Sequence, residues 1–254
     1  MFKKIVLLLI TTSAFSTLIP HDLAKTLDLS ENLSDQEVFA LAANNWHQNK
    51  ERWEFAPNFE EKRAELEPIF RQMGYLEGVL PKANSYDYAL IIGATLPTMQ
   101  KRIQYLEDLL RKGLQLHKII FLGGKRPLLP AEKEQTGQTT EKEMIEWVYN
   151  QSKLPPAIET QFIDAPTRDS PRGLLRPGSL ETIGLWLDSN PNPGHCLVLS
   201  SQPYIPFHEA LVKNVLPNNF TFDLTGEKAA ETWTVALILD TFARRLAEIE
   251  KQQR

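Results

Sequence analysis

The densest chemistry in this chain lies at residues 200–208, Ser-Ser-Gln-Pro-Tyr-Ile-Pro-Phe-His, where hydroxyl, amide, phenol and imidazole groups share one short stretch. A serine beside a histidine is the minimum for nucleophilic catalysis, because the imidazole can take the hydroxyl proton. The G-x-S-x-G elbow that carries many such serines is absent. Hydrogen bonding to a ligand by Ser200, Ser201, Gln202, Tyr204 and His208 is therefore the favoured role. Cations collect in two other stretches, Lys125 with Arg126, and Arg168, Arg172 and Arg176. Guanidinium forks match phosphate and carboxylate geometry. Gly93-Ala94-Thr95 and Gly123-Gly124 stand where a strand gives way to a helix. Backbone N–H groups there can hold an anion, or the glycines simply make tight turns. No G-x-G-x-x-G and no phosphate-loop lysine pattern accompanies them. Glu141 and Glu181 open helices, where a carboxylate serves either as a general base or as an ordinary cap. The histidines at 21, 47, 117, 195 and 208 show no metal-ligand spacing, and the single cysteine, Cys196, sits in an apolar run. No metal and no cofactor is called for.

What would gather these groups is a repeated strand–turn–helix design. Apolar runs at 88–92, 118–122 and 196–199 each end in small residues and lead toward a helix. Weaker strands are expected at 158–163 and 220–224. Helices are expected at 98–112, 141–151, 179–189, 207–215 and 232–251, with long polar loops at 125–139 and 164–178. This alternation predicts an α/β fold, a Rossmann-like three-layer sandwich around a five-stranded, mostly parallel sheet. Right-handed crossovers favour the strand order 3-2-1-4-5. The ligand crevice of such a sheet lies at the carboxyl ends of its strands, between the first and fourth, where the crossovers diverge. Ahead of this body, residues 21–33 read as a polar spacer. Ser34 and Glu37 form a capping-box pattern for a helix through Val38, Leu41, Ala42 and Trp46, and a second helix is expected near 59–73. The expected organisation is a leader at 1–20, a helical extension at 21–80 and the α/β domain at 81–254.

The chain has 254 residues, enough for a full core, and a formal charge of −4, which excludes the strong basic excess of a nucleic-acid binder. Its start is a basic Met1-Phe2-Lys3-Lys4 followed by an uncharged, mostly apolar stretch at 5–19, with small residues Ala14 and Ser16 before Pro20. That is the layout of a secretory signal, and it falls short of the roughly 20 apolar residues of a bilayer span. The alternatives are an uncleaved anchor and a buried first element of a chain that is not exported.

In order along the chain, several short motifs resemble the YdcF/SanA/ElyC-type bacterial family, a domain of unknown function. Asp87 to Gly93 looks like its opening strand, and Arg102 like an arginine on the next helix. Gly123-Gly124 resembles its glycine pair, and Glu141 with Met144 its acidic helix start. Ser179-Leu180-Glu181-Thr182 resembles its T-x-E-N motif, and Ser200 to Tyr204 its strand end with an aromatic. The likeness covers roughly residues 86–225. It departs at Thr182, Ile205 and His208, where the family has asparagine, histidine and arginine, so this chain is a divergent member by that likeness. The resemblance implies an envelope-associated protein, linked to envelope integrity, with nucleotide-like or lipid-phosphate ligands.

The expectation is an exported protein, periplasmic or secreted, or held at the inner membrane by its N-terminus. It takes an anionic, phosphate-containing small molecule at the sheet edge. The ligand set is Gly93, Ala94, Thr95, Gly123, Gly124, Lys125, Arg126, Arg176, Ser179, Ser200, Ser201, Gln202, Tyr204 and His208. The alternatives are a transferase or hydrolase of such a ligand, with Glu181 or Glu141 as general base, and a non-catalytic scaffold. Oligomeric state is left open.

Overall fold

Strands that bury both faces must be apolar at consecutive positions, and three stretches of this chain are. The computed structural model describes residues 17–30, 32–48, 55–56, 58–170 and 173–253. The expected leader therefore lies outside the described residues up to position 16, as does the loop cation Arg172. Among the described residues no helix is long and apolar enough to cross a membrane.

The described chain begins with helix α1 (His21–Thr26) and helix α2 (Asp35–Leu41), which runs on into a π-helical turn at Ala42–Trp46. A 3-10 turn at Glu60–Lys62 then leads into α3 (Arg63–Gln72). Next come β1 (Ser85–Ile92), α4 (Leu96–Arg111), β2 (Gln115–Gly124), α5 (Pro130–Thr136), α6 (Glu141–Tyr149) and β3 (Glu159–Ala165). A small antiparallel hairpin, β4 (Arg168–Ser170) and β5 (Gly173–Leu175), precedes α7 (Ser179–Leu187). β6 (His195–Leu199), α8 (Ile205–Val215), β7 (Thr221–Thr225) and α9 (Val235–Gln253) complete the order.

The main sheet runs β3-β2-β1-β6-β7, and all four of its pairings are parallel. Counted among the sheet's own strands, that is the expected order, with no antiparallel member. Alternation divides each central strand between two cores. Ala89, Ile91, Ile119, Phe121, Leu197 and Leu199 face α4 and α6. Leu90, Ile92, Ile120, Leu122, Cys196 and Val198 face α7 and α8. Helices therefore leave β1 and β6 toward opposite faces, which makes the β1–β6 junction the switch point. Burial drives the Cys196 thiol up to about 12, so it stays protonated as a packing residue.

A third core joins the N-terminal helices to α9. Leu23, Val38, Trp46, Leu66 and Phe70 pack there with Trp233, Val235, Leu239 and Phe242. Two further ties bind this extension to the sheet. Val79 and Gly226 exchange backbone hydrogen bonds of 2.9 and 3.0 Å. The Gln202 amide donates to the carbonyls of Gly74 and Glu77, each at 2.8 Å.

Several local expectations change. Residues 21–33 are not a polar spacer throughout: α1 buries Leu23 and Ala24, and Ile19, Leu23 and Leu27 recur every fourth position on its inner side. Residues 125–139 are not all loop, because Pro130 at the first helical position and Gly137 at φ +69° bracket α5. Residues 164–178 hold the β4–β5 hairpin. Helices α4 and α8 start two residues earlier than expected, each with its proline in the first turn, where no N–H is needed.

If α1 belongs to the core, Leu23→Ala removes a fully buried side chain and lowers stability by about 2–5 kcal/mol. Urea unfolding measures this, and an unchanged midpoint would return α1 to the status of a spacer.

Candidate functional site

The carboxyl edge at the switch point is stitched together by Arg102, a buried residue on α4. Its Nη1 donates to the carbonyls of Ile92 and Gly93, and its Nη2 donates to Ser201 Oγ at 3.0 Å. One side chain thus joins the end of β1 to the loop after β6. Gly93 is required here for close approach: a Cβ would stand 2.6 Å from the Leu122 carbonyl oxygen and 3.1 Å from the Glu141 carboxyl. Its N–H already donates to Leu122 O at 3.0 Å, so this glycine does not offer that N–H to an anion. Gly123 and Gly124 are buried within β2, in register with Asp164 and Ala165. A Cβ on Gly124 would lie 2.4 Å from Pro177 Cγ and one on Gly123 2.8 Å from Ile145 Cδ1, so the first glycine packs against α6 and the second against the hairpin's exit.

The second change concerns Arg126, expected as a loop cation. Its side chain is buried and held by two carboxylates: Nε donates to Glu141 at 3.2 Å and Nη1 to Glu132 at 3.1 Å. Glu132 also accepts from the backbone N–H of Leu129 at 2.8 Å and of Leu96 at 2.9 Å. Leu96 is the first residue of α4. The positive end of that helix, which the sequence offered to a ligand through Gly93-Ala94-Thr95, is capped by the chain's own carboxylate. Burial disfavours the Glu132 anion, but the bonds from Arg126, Leu129 and Leu96 outweigh it and hold the carboxyl below its usual range. Glu141 goes the other way: burial raises it, against the attraction of Arg126 and Arg176. Burial likewise opposes the Arg126 charge, and its two carboxylates prevail.

Glu181 is similarly engaged. One oxygen accepts from the Gly178 N–H at 2.8 Å, and the other pairs with Arg168 of the hairpin. Ser179, at the start of α7, places its Oγ 3.5 Å from His208 Nε2. The opposite ring nitrogen, Nδ1, lies 2.7 Å from Ser200 Oγ. Ser200 and His208 are buried, while Ser179, Ser201 and Tyr204 are half-buried. Arg176 and Lys125 are exposed cations at this edge, and Thr95 is half-buried beside Thr98, at 3.3 Å between hydroxyls.

Several of the expected residues fall into three groups. Gly93 O and Ser201 Oγ accept from Arg102, and Ala94 O lies within reach of Arg126. Ser179, Ser200 and His208 form one hydrogen-bonded row. Gly123, Gly124 and Gln202 are drawn into packing, Gln202 toward the N-terminal extension rather than the crevice. Glu132 is a residue that sequence reasoning missed. Its signal was Pro130 two positions earlier, which marks a helix start with an acid in the first turn.

Among the described residues no group of three His, Cys, Asp or Glu side chains is disposed to hold a metal ion. A separate pocket of about 470 Å³ opens between α1, α3 and α9, lined by Leu18, Ile69, Met73, Phe242 and Arg245 among others, none of them at the sheet edge. A scan of protein-family models and a search of curated proteins return no match to this chain.

Removing one partner of a buried ion pair leaves the other charge uncompensated, so Glu132→Gln costs about 3–5 kcal/mol near neutral pH. The sign with pH follows from the lowered carboxyl. Its contribution is complete above the unfolded value of about 4.3 and is lost as pH falls through the folded value. Chemical denaturation across that acid range is therefore expected to show a shallower loss in Glu132→Gln than in the parent chain. Parallel curves would contradict the assignment.

Proposed function

We propose that this protein binds a small anionic molecule carrying a phosphate group, at the carboxyl edge of its sheet between β1 and β6. The observation that carries this reading is a pair of exposed cations, Arg176 and Lys125, on the same carboxyl edge as the half-buried hydroxyls of Ser179 and Ser201. Burial raises the Glu141 carboxyl, and the charge of Arg176 opposes that rise, so the arginine acts electrostatically on the strand ends. A guanidinium fork and several hydroxyl donors suit a tetrahedral oxyanion. Arg126 and the amino end of α4 are committed to Glu132 and Glu141, so the ligand sits toward α7 and the β6 loop.

The basic, then apolar, N-terminal composition supports an exported, envelope-associated setting for this activity. The motif resemblance to the YdcF/SanA/ElyC-type family supports the same setting and a nucleotide-like or lipid-phosphate ligand.

The test is thermal unfolding with inorganic phosphate, pyrophosphate, nucleotides, sugar phosphates and prenyl phosphates. A ligand at one hundred times its dissociation constant adds about 2.7 kcal/mol. At least one phosphate compound is expected to give a saturable rise. Arg176→Ala is expected to weaken it about tenfold, as losing a charge-assisted hydrogen bond of about 1.5 kcal/mol or more does. Arg111→Ala, at the far end of α4, leaves it unchanged. No rise with any of these compounds contradicts the reading.

A further inference from the structure

We infer that Ser179 is a nucleophile, with His208 as its base and Ser200 as the residue that positions the imidazole. The inference rests on the ligand reading above and adds acyl transfer to the same edge. The substrate class is a carboxylic ester of a phosphate-bearing molecule.

The argument starts from which groups can take a proton. Glu141 is buried against Arg126, and both oxygens of Glu181 are engaged, by Arg168 and by the Gly178 N–H. Neither carboxylate suggested by the sequence reaches a reacting hydroxyl. His208 does. Its Nδ1 is fixed by Ser200 at 2.7 Å inside the protein, and its Nε2 points to Ser179 at 3.5 Å, at the border with solvent. A nucleophile, a base and a third group that orients the base form the triad arrangement. The Ser179 contact is long, as such bonds are before substrate seats. The nucleophile also opens a nine-residue helix. The first bond of that helix runs from Thr182 N–H to Gly178 O, so the N–H groups of Ser179 and Leu180 precede its ladder. They are placed to receive a developing oxyanion. Acyl transfer fits better than phosphoryl transfer, which needs several cations clamping the moving group. Arg126 and Arg168 are already paired with carboxylates. Arg176, exposed at the same edge, holds the phosphate as a handle.

The step balances without a cofactor. Ser179 Oγ bonds to the ester carbonyl carbon, and its proton passes to His208 Nε2. The carbon–oxygen bond to the alcohol breaks, and His208 returns that proton to the departing alkoxide. Water then attacks the acyl-serine, gives a proton to His208, and the carboxylic acid leaves as Ser179 regains it.

The full chain is treated with an alkyl fluorophosphonate, and the adduct is located by peptide mass. A single adduct on Ser179 is expected, lost in Ser179→Ala and His208→Ala and retained in Ser189→Ala, in the turn just past α7. Turnover of p-nitrophenyl butyrate is expected to fall about 100-fold or more in the first two variants. In Ser200→Ala, kcat falls while KM holds, because the ring loses its alignment rather than the substrate its contacts. Mapping on the parent chain does not depend on how any variant folds. An adduct on Ser179 supports the nucleophile whether or not phosphate compounds raise the unfolding temperature. No adduct, an adduct elsewhere, or turnover of p-nitrophenyl phosphate without turnover of the butyrate overturns it, even if phosphate binds.

Discussion

A buried guanidinium organises the β1–β2 side of this protein's sheet edge. Arg126 leaves the end of β2 and is gripped by Glu132 from α5 and Glu141 from α6. Taking three charges out of water costs several kcal/mol each, and that cost is recovered only when the geometry satisfies every one. Here the spare capacity of Glu132 goes to Leu129 N–H and Leu96 N–H. The same carboxylate thereby neutralises the cation and caps α4. The path from β2 through α5 to α6, and the start of the helix after β1, are consequently fixed by one network. Glu141 in turn packs on Gly93, where only a glycine leaves room.

That constraint decides what the edge can do. One half is closed, since its cation is neutralised and its helix end is filled from within. The other half, toward α7 and the β6 loop, holds the half-buried hydroxyls of Ser179 and Ser201 and the exposed Arg176. Arg102 is the seam between the halves, holding Ile92 and Gly93 on one side and Ser201 on the other. The Ser179–His208–Ser200 row lies in the open half, where chemistry would have access to solvent. The 470 Å³ pocket at α1, α3 and α9 belongs to a different core and shares no lining residue with this edge.

Much of the fold was legible in the sequence because parallel strands covered on both faces leave an unmistakable mark. The runs ending at Ile92, Leu122 and Leu199 are apolar at consecutive positions, and crossover handedness then limits their order. α1 and α5 were not legible, for one reason. Each is under two turns long, so few apolar residues fall within its own bounds, and end signals such as Pro130 and Gly137 look like loop punctuation. At the candidate site, the sequence supplied the residue types but not their contacts. Nothing in the sequence says that Arg126 faces two acids, or that Gln202 turns toward Gly74 and Glu77. Ser179 and His208 are 29 positions apart and meet only because α7 and α8 pack on one face of the sheet.

The central claim is that ligand binding is confined to the open half of the edge. Hydrogen exchange of the full chain with and without saturating pyrophosphate reads this directly, amide by amide. The account predicts slowed exchange across the start of α7 and the loop after β6, with α5 and the pocket around Phe242 unaffected. Protection centred on that pocket, or on Leu129 and Glu132, would contradict it.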